Sequence, residues 1–194
     1  NPQIRFGEDL MSRVSYGIMN EGGAAEMTKA VCEGLQQLIA GGAEQAGCTT
    51  DDVLEVVLVG NPVMHHLLLG IDPVELGGAP FALAVDTATE IKADEINLSL
   101  NKGSRIYILP CIAGHVGADA AGVVLAEAPQ DGSDVQLLID VGTNAEIVLG
   151  NKDRLLAASS PTGPAFEGAQ ISSGQRAAPG AIERLRINPH TFEP

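Results

Sequence analysis

Two apolar runs, residues 137–140 and 145–149, are separated only by a short stretch centred on Gly142-Thr143-Asn144. A link that short lets two strands pair antiparallel and allows no crossover. The first run, Leu137-Leu138-Ile139, is unbroken by polar residues and reads as a strand buried on both faces, yet it ends in Asp140. A carboxylate taken out of water costs several kcal/mol unless something answers it. Asp140 therefore predicts a partner. Two readings are open: an aspartate capping its own hairpin, or a carboxylate facing a cation. In the second, amides of the turn form a nest for an anion, and the side chains of Thr143 and Asn144 add donors. Nucleotide phosphate would then lie on Gly142, Thr143 and Asn144, with Mg²⁺ on Asp140 directly or through water.

The segments on either side predict an α/β chain. After the hairpin, residues 154–160 supply a third strand beyond the turn Asn151-Lys152-Asp153, making an antiparallel meander. Upstream, residues 8–19 read as a helix. Met27, Ala30, Val31, Gly34, Leu35, Leu38 and Ile39 recur at helical spacing, on a second helix expected to stop near Gly41-Gly42 or to fray through to Gly47. Residues 53–59 then read as a strand buried on both faces. Asn61-Pro62 follows as N-cap and first helical residue of a short helix closed by Gly70. Residues 71–103, rich in Pro, Gly and acids, read as an excursion with weak strands, and residues 105–110 return as a core strand. The Gly- and Ala-rich helix after it, residues 117–126, can be approached closely by another element. A polar linker, residues 129–134, precedes the meander.

A net charge of -14 and the absence of a basic run disfavour nucleic acid. No apolar run reaches the roughly 18 to 20 residues of a membrane span, so no membrane segment is expected. Cys32, Cys48 and Cys111 are scattered without a C-x-x-C spacing, which reads as reduced thiols of a cytoplasmic protein rather than ligands of zinc or an iron-sulfur cluster. Neither a P-loop nor a G-x-G-x-x-G fingerprint is present.

The strand-Asp-Gly-Thr hairpin, with "GADAAG" just upstream, resembles the phosphate motif of the actin, sugar-kinase and Hsp70 superfamily. Together with "NPQIRFGEDLMSRV", "VVLVGNPVMHHLLLGIDP", "LPCIAGHVGADAAG" and "SSPTGPAFEGAQI", it is similar to the reductive activators of corrinoid proteins. The resemblance implies a partial actin-like, ribonuclease H-like ATPase core: residues 1–133 as most of lobe one and residues 134–194 as the start of lobe two. It also implies an ATP- and Mg²⁺-dependent enzyme that returns the cofactor of a corrinoid protein in a methyltransferase system from Co(II) to Co(I). A homodimer is compatible with it. The family's [2Fe-2S] domain and first phosphate hairpin are expected before Asn1, and its adenosine loop after Pro194. The fragment alone is expected to be inactive. The rival readings are a sugar-kinase-type phosphotransferase and a catalytically silent interaction module.

The resemblance further implies Asp119 and Glu167 as groups facing the Mg²⁺-phosphate cleft beside Asp140, and Gly163 and Gly168 as shapers of a nucleotide-binding loop. Asp119 also reads as a carboxylate favoured by a helix N-terminus, and Glu167 as a solvated residue at a helix start. His65 and His66 point about 100° apart on a helix and cannot both chelate one metal easily, so they are expected to pack or to meet a partner. Asn1, Gln3, Glu8, Asp9 and Arg13 form a polar opening, each expected on a solvated face unless it meets the first phosphate hairpin.

Overall fold

A computed structural model describes residues 2–7, 9–142, 144–162, 186–188 and 190–191. Among the expected site residues, Thr143, Gly163, Glu167 and Gly168 lie outside the described residues, as do Asn1 and Glu8.

Helix α1, Leu10–Met19, begins where the Asp9 carboxylate accepts the Ser12 N–H at 2.7 Å. Gly7 just before it has φ +153, and a Cβ there would come within 2.8 Å of the Arg13 nitrogen. The entry to α1 therefore requires glycine. Helix α2, Gly23–Ala46, runs straight through Gly41 and Gly42, where a stop was expected, and ends at Gly47 in the left-handed conformation. The Cys48 N–H then reaches the Ala43 carbonyl, a Schellman-type closure. Each interior glycine costs about 1 kcal/mol of helix propensity, which packing of α2 against α1 and α3 outweighs.

Strand β1, Glu55–Leu58, leads into α3, Pro62–Leu68, whose first turn is capped by Asn61 Oδ1 accepting the Met64 N–H at 2.9 Å. Strand β3, Arg105–Ile108, pairs parallel with β1 from Glu55↔Arg105 to Leu58↔Ile108. The acid-rich stretch is less of an excursion than its composition suggests, because β2, Thr89–Lys92, pairs antiparallel with the other side of β3. The first sheet is thus β1-β3-β2. Its helix-facing side carries Ile106 and Ile108 against Cys32 and Leu68, and Met27, Val63, Leu67 and Leu76 pack together with Phe6 and Val14. Burying each large apolar side chain contributes about 1.5–3 kcal/mol.

Helix α4, Ala118–Glu127, leaves the first sheet. The second sheet is the expected meander: β4, Gln136–Val141, β5, Asn144–Asn151, and β6, Arg154–Pro161. Neither β1 nor β4 is buried on both faces, contrary to expectation. Leu137, Ile139 and Val141 are 58%, 52% and 60% exposed, as are Leu54, Val57 and Val59 to a similar degree. Their apolar runs made one-sided strands look two-sided. The alternate residues of β4, Gln136, Leu138 and Asp140, are half-buried, and β4 packs against α4.

Candidate active-site cleft

The carboxyl ends of parallel strands open the crevice where α/β sheets receive ligands. Here the end of β1 supplies Asn61 and the segment after β3 supplies His115 and Asp119. Across from them, the β4–β5 hairpin supplies Asp140, Gly142, Asn144 and Glu146, and α1 supplies Arg13 beside its cap Asp9. The cleft between these groups has a volume of about 290 Å³.

Asp119 is placed by close backbone packing. The Ala118 N–H donates to the Gly60 carbonyl at 2.9 Å, tying the start of α4 to the end of β1. A Cβ on Gly117 would come within 2.6 Å of both that carbonyl and Asp119 Oδ1, so only glycine permits the approach. Asp119 Oδ1 accepts the Ala120 N–H at 2.9 Å. Burial pushes the Asp119 carboxyl above the usual range, with the Asp140 charge adding and backbone hydrogen bonds opposing.

Asp140 and Glu146 are Cα partners across the hairpin, so the pleat sends both side chains to one face. Burial also raises the Glu146 carboxyl, and Asp119 and Asp140 raise it further; the Ser159 hydroxyl, donating to Glu146 Oε1 at 3.1 Å, works the other way. The Asp140 carboxylate makes no hydrogen bond or ion pair among the described residues. The turn-cap reading gains nothing from this geometry, while three mutually repelling carboxylates favour a cation. One expected donor is spent elsewhere: the Gly142 N–H donates to the Asn144 carbonyl at 2.8 Å.

Arg13 departs most from expectation. It is only 2% exposed instead of lying on a solvated face, and Gln3 is buried with it. Its Nε donates to the Gly7 carbonyl at 3.1 Å and its Nη1 to Gln3 Oε1 at 3.2 Å. Burial lowers the Arg13 pKa, against the Asp9 charge. A guanidinium nevertheless stays charged in proteins.

No group of three His, Cys, Asp or Glu side chains among the described residues is arranged to hold a metal ion directly. Cys32 and Cys111 are buried, Cys48 is exposed, and all three are free thiols. Burial raises Cys111 to about 11. His65 and His66 pack inside the first lobe, 2% and 1% exposed. A larger open groove of about 920 Å³ follows α2, but its charged residues Lys29, Glu33 and Asp72 are exposed, and Lys29 pairs with Glu33 at 3.8 Å along the helix surface.

Residues 1–130 match the family described as the RACo middle region. Residues 134–194 match the C-terminal domain of RACo, the ASKHA domain. This chain belongs to the RACo family of reductive activators of corrinoid proteins. Its fold is accordingly α/β with part of an actin-like core, and the cleft lies where the two matches meet. The RACo chain is 37% identical over 185 residues to the corrinoid activation enzyme RamQ of Eubacterium limosum, covering 95% of this chain and 31% of RamQ. It is 44% identical over 77 residues to the [Co(II) methylated amine-specific corrinoid protein] reductase of Methanosarcina barkeri, covering 40% of this chain and 14% of that protein. A solved structure of a reductive activator for a corrinoid, iron-sulfur protein superposes with a TM-score of 0.84 at 38% identity, covering 96% of this chain and 30% of that one. The chain thus spans about a third of the length of RamQ and of the solved activator.

Of the residues singled out in the sequence, Asp119, Asp140, Gly142 and Asn144 line this cleft. Glu146 was not anticipated, although a signal was present: with a tight hairpin between them, Asp140 and Glu146 fall opposite each other and hence on one face.

Proposed function

We propose that this chain is the ATP-binding portion of an ATP-dependent activator that returns the cofactor of a corrinoid protein from Co(II) to Co(I). The observation that carries the reading is the convergence of Asp119 from α4 with Asp140 and Glu146 from the β4–β5 hairpin. The carboxylates come from both sides of the junction between the two family matches.

Mg-ATP, when bound, supplies the free energy of phosphate hydrolysis. Asp140 and Asp119 would present oxygens to Mg²⁺ through its water shell, offsetting the burial and the added repulsion that raise Asp119 and Glu146. Asn144 offers side-chain donors at the rim. Ser159 fixes Glu146, leaving one of its oxygens for water or a phosphate-bound ligand. The electron has to arrive from elsewhere, because the described thiols cannot ligate a cluster. Residues 1–133 and 134–194 would act as facing lobes, the second supplemented by Gly163, Glu167 and Gly168. The partner is a corrinoid protein of a methyltransferase system.

The test replaces Asp140 with Asn in a polypeptide of the relatives' full length. An isosteric neutral group preserves the hairpin but weakens the hold on Mg²⁺. Mg-ATP hydrolysis should fall by at least about tenfold, equivalent to 1.4 kcal/mol, with an unchanged circular dichroism spectrum. Equal rates in the two proteins would remove Asp140 from the nucleotide site.

A further inference from the structure

The cleft contains one buried charge that the carboxylates do not explain. Arg13 is almost fully buried, lines the cleft, and forms no ion pair among the described residues. Two of its nitrogens are held by neutral acceptors, the Gly7 carbonyl and the Gln3 amide oxygen. Those bonds orient the planar fork without neutralising it. The carboxylate nearest in sequence, Asp9, directs its Oδ1 to the Ser12 N–H. Burial outweighs the charge of Asp9 at Arg13, and a desolvated cation that neutral acceptors only orient is costly unless an anion completes it. Guanidinium suits a phosphate in particular, because its donors can meet two oxygens at once.

We infer that Arg13 is the receptor for the terminal phosphate of the nucleotide, gripping it from one wall of the cleft while Asp119 and Asp140 hold the metal. This rests on the nucleotide reading above and goes further by naming the group that tells a triphosphate from a diphosphate. The division of labour also fits the charges: four carboxylates, those of Asp9, Asp119, Asp140 and Glu146, repel a bare phosphate, whereas a metal-bound phosphate presents cation to them and anion to Arg13. Gly7 and Gln3 set the direction of the fork, and Gln3 Nε2 is itself anchored on the Met27 carbonyl at 3.0 Å.

The experiment is calorimetric titration with Mg-ADP and with Mg-AMP-PNP, a non-hydrolysable triphosphate, in a polypeptide of the relatives' full length. Wild type, Arg13→Gln, Arg13→Lys and Gln3→Glu are compared. Gln3→Glu keeps the arginine and gives it a counter-charge at the cost of the Met27 bond, and Arg13→Lys keeps the charge without the fork, so the folded members of the set test the proposal even if Arg13→Gln fails to fold. The expected result is a loss of about tenfold or more in Mg-AMP-PNP affinity for Arg13→Gln and for Gln3→Glu, as for one charge-assisted phosphate contact. Mg-ADP affinity should change less than about threefold. Arg13→Lys should fall between, because it keeps the charge and loses the fork. Equal weakening of both nucleotides, or of neither, in the folded variants overturns the inference while leaving the nucleotide reading intact. A wild-type protein that binds neither nucleotide overturns both.

Discussion

Asp140 and Glu146 stand directly opposite each other in the β4–β5 register, two carboxylates on one face of a hairpin. Like charges so placed destabilise a sheet. The Ser159 hydroxyl, donating to Glu146 at 3.1 Å, offsets only part of that cost. A fold would not gather Asp119, Asp140 and Glu146 for its own stability. The arrangement has the character of a binding site held at the expense of the scaffold.

Asp140→Asn should therefore stabilise the protein in the absence of Mg²⁺ and nucleotide. Glu146 and Asp119 have folded-state values raised above their unfolded ones. Their destabilising effect is absent at low pH and develops as pH rises past the ordinary carboxylate range. The variant should gain roughly 0.5–1 kcal/mol at pH 7, the scale of a cross-strand charge pair, and almost nothing near pH 3. Urea unfolding at both pH values checks this; a loss of stability at pH 7 would mean that Asp140 serves the hairpin.

The buried histidines act in the opposite sense. The Ala84 N–H donates to His66 Nε2 at 2.9 Å, so Nδ1, 2.8 Å from the Pro62 carbonyl, carries the proton of a neutral ring. Burial lowers both imidazoles, with the neighbouring His66 lowering His65 further and the Pro62 carbonyl opposing for His66. The unfolded chain takes up protons near the ordinary value, about 6.5, and the folded chain resists. This contribution to stability is complete above about pH 6.5 and should fall below it by at most about 1.4 kcal/mol per pH unit for each histidine. The unfolding free energy of wild type minus that of His66→Leu, measured from pH 7.5 to 5, isolates it. A constant difference would contradict the assignment.

The two rings should also respond differently to replacement. Among the described residues neither nitrogen of His65 has a hydrogen-bond partner, so His65→Leu removes an unsatisfied polar group and should be neutral or stabilising. His66→Leu strands the Ala84 N–H and should cost about 1–3 kcal/mol. Thermal unfolding of this chain compares them, and a larger loss for His65→Leu would be the wrong order.

How far the sequence was readable follows from the range of each cause. Asn61-Pro62, Gly70 and Gly47 are local signals, and they mark helix ends as expected because capping is decided within a few residues. Of the two stops expected for α2, Gly41-Gly42 did not act and Gly47 did, because only Gly47 takes the left-handed conformation that closes a helix. The runs at β1 and β4 showed that strands form but not how many faces are covered, since coverage depends on what lies across the sheet. Arg13 is the instructive miss. It shares a helical face with Leu10, Val14 and Gly17, a position that argues for burial. Its polarity argued for solvent, and Gln3, which receives it in the fold, is not on that helix.

A bulky residue in the Gly- and Ala-rich helix α4 tests whether the two matched regions move against each other along it. A Cβ on Gly122 would sit in ordinary contact, 3.4 Å from Val59 Cγ1 and 3.9 Å from Leu109 Cδ2, so the longer side chain of Gly122→Leu would press on the first sheet. In a polypeptide of the relatives' length, partner-stimulated ATP turnover should fall at least about tenfold, 1.4 kcal/mol. Mg-ADP binding should be largely kept, because Gly122 lies outside the cleft. Turnover assayed with and without the corrinoid protein decides; a folded variant with wild-type stimulation would make α4 ordinary core.

Formation of Co(I) is the most direct measure of the whole account. A ligand drives a conformational change only through differential affinity for its states, so nucleotide must alter the cobalt step if this cleft serves it. With corrinoid protein, reductant and a polypeptide of the relatives' length in one cuvette, the visible absorption of Co(I) should rise with Mg-ATP in step with phosphate release. Both signals should be absent with Asp140→Asn. Co(I) formation at the same rate and to the same extent without Mg-ATP, or with Asp140→Asn, would contradict the claim that this cleft couples nucleotide to corrinoid reduction.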